Sequence, residues 1–135
     1  MTSRIDRALG RARSRLRRLA PEEVPAALHR GAVLVDIRPA AQRAAEGRVP
    51  GAEVVERNVL EWRCDPTSPA RLPQARDDEV EWVLLCSQGY ASSLAAAALV
   101  DLGLRRATDV VGGFHALARA GVLAEPAGAT ARSPE

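Results

Sequence analysis

The stretch "LLCSQGYASSLAAAAL", residues 84–99, ends an apolar run on a cysteine, crosses a short polar loop with one glycine, and enters strongly helical sequence. A strand, a tight loop and a helix start together make a cup of backbone N–H groups. The first helical turn leaves its donors without intrahelical partners, and the helix dipole adds about half a positive charge there. An anion placed in that cup needs no charged side chain to hold it. Gly89 lets the backbone turn through conformations that a side chain would forbid. Ser92 or Ser93 is expected to cap the helix that follows. Cys86 therefore has two readings. It is a nucleophile whose anion the loop stabilises, or it is a buried, inert thiol, since free cysteine is among the most buried residue types.

Working outward, "VEWVLLC" (80–86) and "AVLVDI" (32–37) are nearly continuous apolar and β-branched runs, the pattern of strands buried on both faces. "EVV" (53–55) and "ATDVV" (107–111) read as shorter strands. Between them lie helical segments: "APEEVPAALHRG" (20–31), with Pro21 suited to a first turn and Gly31 as its stop, "SSLAAAALVDLG" (92–103), and "GFHALARAGV" (113–122). Residues 38–52 are expected to be irregular or briefly helical. The Pro-broken segment 58–79 reads as mostly loop with one helical turn. Strands alternating with helices imply an α/β fold: a central parallel sheet of about five strands with helices on both faces. Ligands of such sheets bind beyond the carboxyl ends of the strands, where Cys86 and Asp36 fall.

The N-terminal "RIDRALGRARSRLRR" holds seven of the 19 arginines in a chain that has no lysine, which leaves the remainder net acidic. Its apolar residues recur at three- and four-residue intervals, so residues 1–18 read as an Arg-rich amphipathic helix. It is a surface helix packed on the domain, a helix for an anionic partner or membrane surface, or an organellar transit peptide. No apolar block of signal-peptide or membrane-spanning length is visible, so a cytoplasmic location is expected. Cys64 and Cys86 have no zinc spacing, and His29 and His115 stand alone, so neither metal nor other cofactor is expected. Basic charge confined to one helix and the scarcity of aromatic residues speak against nucleic acid as a ligand. Residues 19–124 are expected to form the domain proper and 125–135 a flexible tail.

"VLVDIRP" (33–39) with "GRVPGAEVV" (47–55), then "LLCSQGYASSLAAAALVDLG" (84–103), then "DVVGGFHALARAG" (109–121) resemble, in order, the signature segments of the rhodanese-like sulfurtransferase family. The resemblance spans residues 19–123. It implies a small three-layer α/β fold in which Cys86 accepts a sulfane sulfur from a donor such as thiosulfate or a persulfide. The sulfur then passes to a thiol or cyanide acceptor. It also implies a substrate-binding loop made of Ser87, Gln88, Gly89, Tyr90, Ala91 and Ser92, with Asp36 and Arg38 as a structural motif.

The chain departs from the family's Cys-x-x-Gly-x-Arg-Ser loop at one place: Ala91 stands where the arginine belongs. That arginine would hold an anionic donor, and its absence also counts against arginine-dependent phosphatase chemistry. Leu117 replaces the tryptophan common in the last helix. Arg38, Arg43, Arg48, Arg57 and Arg63 all lie in segments that the fold could bring near the strand ends, and of these Arg38 is expected to pair with an acid such as Asp36 or Glu46. Arg63 is the best candidate to reach the pocket. Tyr90 is either a pocket wall or a surface residue. Cys64 is either a resolving thiol or a cysteine without a role. His115 is assigned no part in catalysis, and Trp62 and Trp82 read as packing residues. Two functions remain open: a sulfurtransferase, or a non-catalytic rhodanese-like binding or regulatory module. In either, the Arg-rich helix is a candidate docking surface for an acidic sulfur-relay protein.

Overall fold

A computed structural model describes residues 2–128. The first helix, α1 (Arg4–Arg13), is closed at its start by a capping box, with Ser3 and Asp6 satisfying each other's backbone N–H. A 3₁₀ turn (Pro21–Glu23) leads into α2 (Val24–His29), and β1 (Val33–Asp36) follows. Next come α3 (Ala40–Glu46), β2 (Gly47–Arg48), β3 (Glu53–Val54), a 3₁₀ turn (Arg57–Val59) and α4 (Leu60–Cys64). The second half contains β4 (Trp82–Leu85), α5 (Ala91–Asp101), β5 (Thr108–Asp109), α6 (Gly113–Ala120) and β6 (Glu125–Pro126).

The central sheet is parallel throughout, in the order β3-β1-β4-β5. It has four strands where about five were expected. The fifth position is held by a single parallel bridge from Leu19 to Val110. Leu19 N–H donates to the Asp109 carbonyl, and the Val111 N–H donates to Leu19. The pairing stops there because Pro21 has no N–H to continue a ladder and starts the 3₁₀ turn instead.

Side chains alternate across β4, which makes the sheet two-faced. Trp82 and Leu84 join Leu60, Cys64, Ala95, Ala96 and Leu99 on the α4/α5 side. Val83 and Leu85 join Val24, Ala27, Phe114 and Leu117 on the α2/α6 side. Trp82 is fully buried as expected, whereas Trp62 is 60% exposed on α4 and packs no core. Leu117 fills its place in the last helix without exposure. The alanines of α5 let that helix lie directly on the sheet, with α1 packed across it.

The described chain differs from the expected domain outline at both ends. The N-terminal helix stops at Arg13, five residues earlier than expected, and residues 14–18 turn back toward the sheet. At the other end, β6 pairs antiparallel with β2, Gly47 opposite Pro126 and Arg48 opposite Glu125. The expected flexible tail is thus tied down where it begins, and its portion from 129 to 135 lies outside the described residues.

Candidate active site

From β1 the chain moves to β3 on one side, and from β4 to β5 on the other, so the strand order reverses between β1 and β4. The carboxyl ends of those two strands flank the crevice where open α/β sheets bind ligands. Asp36 closes β1, and Cys86 follows β4 directly.

Cys86 is 8% exposed. Its Sγ receives two backbone donors, Gly89 N–H at 3.2 Å and Ser92 N–H at 3.3 Å. The loop's carbonyls are turned the other way: Cys86 C=O accepts from Phe114 N–H at 2.8 Å, and Ser87 C=O from His115 N–H at 3.0 Å. The start of α6 therefore pulls the loop oxygens back while the amides face the sulfur. This seam requires glycine. Gly89 has φ +86° and Gly113 has φ +60°. A Cβ on Gly89 would lie 2.8 Å from Gly112 N, and one on Gly113 would strike the Cys86 carbonyl.

Behind the sulfur lies a polar relay. The Cys86 thiol donates to Ser92 Oγ (3.2 Å), and the Ser92 hydroxyl donates to Asp109 Oδ2 (2.7 Å). The Ser93 hydroxyl donates to the same oxygen at 2.7 Å. Helix α5 begins at Ala91 with Tyr90 as N-cap and no side-chain cap bond. The two serines therefore lie within the first turn, and their hydroxyls serve the buried carboxylate of Asp109, not the helix end. Arg18 covers that carboxylate, with Nε 2.8 Å from Oδ1 and Nη2 3.2 Å from Oδ2.

Two arginines also grip the loop. Arg13 Nη2 donates to Gly89 C=O at 2.7 Å, Arg18 Nη2 to the same oxygen at 3.1 Å, and Arg13 Nε to Ser93 Oγ at 3.1 Å. The Arg13 guanidinium also stands 5.5 Å from the centre of the Tyr90 ring, which is otherwise exposed. Asp109, Arg13 and Arg18 escape a local reading of the sequence. The only signal was a charged residue inside the apolar run "ATDVV".

The other flank is built on Arg38, fully buried over the Phe114 ring at 4.2 Å. It pairs with both acids named for it, Asp36 (2.7 Å) and Glu46 (3.1 Å), and donates to Gly47 C=O. Glu46 in turn accepts from the Ser87 hydroxyl at 2.9 Å and faces His115 Nε2 at 3.4 Å. Burial works to raise the Glu46 carboxyl, but the Arg38 and Ser87 donors, with the nearby positive charges, outweigh it and hold the group below its ordinary range.

Gln88 and Ala91 are exposed on the loop rim. Arg63 is placed elsewhere. Its guanidinium is bonded to Ala70 C=O at 2.6 Å, and among the described residues no bond joins it to the Cys86 loop. Arg43 donates to the Arg38 carbonyl, Arg57 pairs with Glu61, and Arg48 lies 3.8 Å from Glu125. Cys64 is fully buried, and that burial, with Glu61 adding to it, pushes its thiol up to about 12. A thiol of that kind supplies no thiolate at neutral pH. Among the described residues no cluster of metal-ligating side chains is present, and no helix is long and apolar enough to cross a membrane.

Known proteins share this architecture. The chain is 34% identical over 102 residues to the thiosulfate sulfurtransferase GlpE of Pseudomonas fluorescens, covering 76% of this chain and 84% of that protein. A Rhodopseudomonas palustris protein of unknown function, described as a possible tyrosine phosphatase, superposes with a TM-score of 0.80 at 33% identity. That match covers 93% of this chain and 96% of the other. The rhodanese-like domain of Anabaena Alr3790 shares the fold at a TM-score of 0.64 and 16% identity, over 87% of this chain and 84% of that one. The model of the rhodanese-like domain matches residues 20–120, from just after the Leu19 bridge to the end of α6, and the chain belongs to that family.

Proposed function

We propose that this protein is a sulfurtransferase whose Cys86 carries sulfane sulfur as a persulfide. The observation that carries the reading is the pair of amides on Cys86 Sγ, at 3.2 and 3.3 Å, in a loop whose carbonyls face away. In the first step the Cys86 thiolate attacks the outer sulfur of the donor. A new S–S bond forms, and the donor's remaining fragment leaves with the electrons of the broken bond. In the second step an acceptor thiolate or cyanide attacks the terminal sulfur, and Cys86 departs as thiolate. Splitting the transfer in two lowers each barrier, and fixed amides stabilise the anionic sulfur at both stages.

The loop's own composition selects among donors. Ala91 offers no guanidinium to a dianion, and the Glu46 carboxylate sits against Ser87 at the rim. The persulfide of a small thiol without carboxylates, which brings a single negative charge, suits this mouth better than dianionic thiosulfate does. The same lack of a guanidinium at position 91 disfavours phosphoryl transfer. The exposed arginines of α1, Arg4, Arg7 and Arg11, leave room for an acidic relay protein in the cytoplasm. Salt-sensitive association that is lost when these three are replaced by glutamate would support that docking, and association unchanged by the replacement would count against it.

The test is intact-mass analysis after incubation with thiosulfate and, separately, the singly charged persulfide of 2-mercaptoethanol, comparing wild type with Cys86→Ser. The expected result is a gain of one sulfur, removable by cyanide, on wild type only and faster from the persulfide. If neither donor loads the protein, the loop is a recognition module. Hydrolysis of p-nitrophenyl phosphate that depends on Cys86 would instead favour a phosphatase.

A further inference from the structure

The family model begins at residue 20, yet two of the side chains that hold the Cys86 loop, Arg13 and Arg18, come from before it. Their charges are not equivalent. Arg18 is answered by Asp109 at 2.8 Å, whereas Arg13 has no carboxylate partner among the described residues. Arg13 therefore adds a net positive charge to a loop that must stabilise an anion and that lacks the cation at position 91.

We propose that Arg13 is a positioning residue for Cys86: from α1 it replaces the missing loop cation and locks the turn that presents the Gly89 and Ser92 amides to the sulfur. The inference rests on the sulfur-carrier reading above. Its three attachments fall on residues 89, 90 and 93, which bracket the turn between the two donating amides. Gly89 has no Cβ to restrict rotation of the peptide that follows it, and it is this peptide's oxygen that both guanidiniums hold. Anchoring of α1 does not need Arg13. Leu9 and Ala12 are already buried under the helix, and Arg15 reaches Asp101 on α5.

The experiment follows iodoacetamide alkylation of Cys86, resolved by peptide mass, in wild type, Arg13→Gln, Arg13→Lys and the anchoring control Arg15→Gln. Persulfide loading is measured in parallel. At pH 6 Arg13→Gln should alkylate about fivefold more slowly, the scale of one charge-assisted bond acting through a neighbour. At pH 9.5, above the ordinary thiol value of about 8.5, the gap should narrow. Arg13→Lys should recover most of the rate, and Arg15→Gln should match wild type. Equal rates for Arg13→Gln and wild type at pH 6 would overturn the proposal. So would an equal loss in Arg15→Gln, or a change of the same size at both pH values, which would indicate access and not charge. If wild type takes up no sulfur while the alkylation pattern holds, the carrier reading fails and the role of Arg13 stands. If wild type loads and Arg13→Gln loads equally fast, only the role of Arg13 fails.

Discussion

Asp109 has no exposed surface, yet three side chains donate to it: Arg18, Ser92 and Ser93. Replacing it by Asn would leave Arg18 facing a neutral amide and turn one acceptor into a donor aimed at hydroxyls. Breaking a buried pair in this way costs about 3 kcal/mol, so Asp109→Asn should lower the urea midpoint markedly. Cys64 is the contrasting case. Its thiol is buried and inert, so Cys64→Ala should cost about 1 kcal/mol and leave thiol-dependent sulfur release unchanged; a slower release would restore a resolving role. Cys86 was legible as a loop residue from its flanks, and Arg38 from its acidic neighbours, because those relations are local. Asp109 and Arg13 were not, because their partners lie on other elements, up to 91 residues away. Helix-start patterns point serines to caps. They do not reveal a carboxylate waiting below the first turn.

The seam between the Cys86 loop and α6 is an arrangement of elements in which each supplies what the other lacks. The loop offers carbonyls, and the helix start offers free N–H groups. Gly112 and Gly113, both at positive φ, let the two backbones meet. Gly113→Ala would add left-handed strain and a collision with the Cys86 carbonyl. A loss of about 2 kcal/mol or more in stability is expected, together with slowed persulfide loading, read by denaturation and intact mass. The alternation of strands and helices was visible in the sequence because apolar runs and their breakers carry it. The missing fifth strand was not, since a lone bridge at Leu19 leaves no pattern longer than one residue. Pairing of β6 with β2 was hidden for a similar reason: Glu125 and Pro126 have no strand composition, and only the return of the chain past Gly47 brings them there.

Across the whole molecule, the Glu46 cluster on the Arg38 side of the site ties stability to pH. Glu46 is held below its ordinary value of 4.5 by its donors, despite the burial that opposes them. A carboxylate depressed in the folded state stabilises the fold above its unfolded value, and that contribution disappears as pH falls through the folded one. The Tm advantage of wild type over Glu46→Gln should therefore be full at pH 6 and shrink steadily below pH 4.5. A pH-independent difference would assign Glu46 a packing role only. The contact of Arg13 and Arg18 with Gly89 and Asp109 also has a consequence for biosynthesis. The N-terminal residues are made first, but Arg13 has nothing to hold until Gly89 and Ser93 are made, and Arg18 has no carboxylate until Asp109 is. A growing chain that has made the Cys86 loop but not Asp109 therefore holds that loop without the Arg18 ion pair, and the grip on it is complete only once β5 has been made.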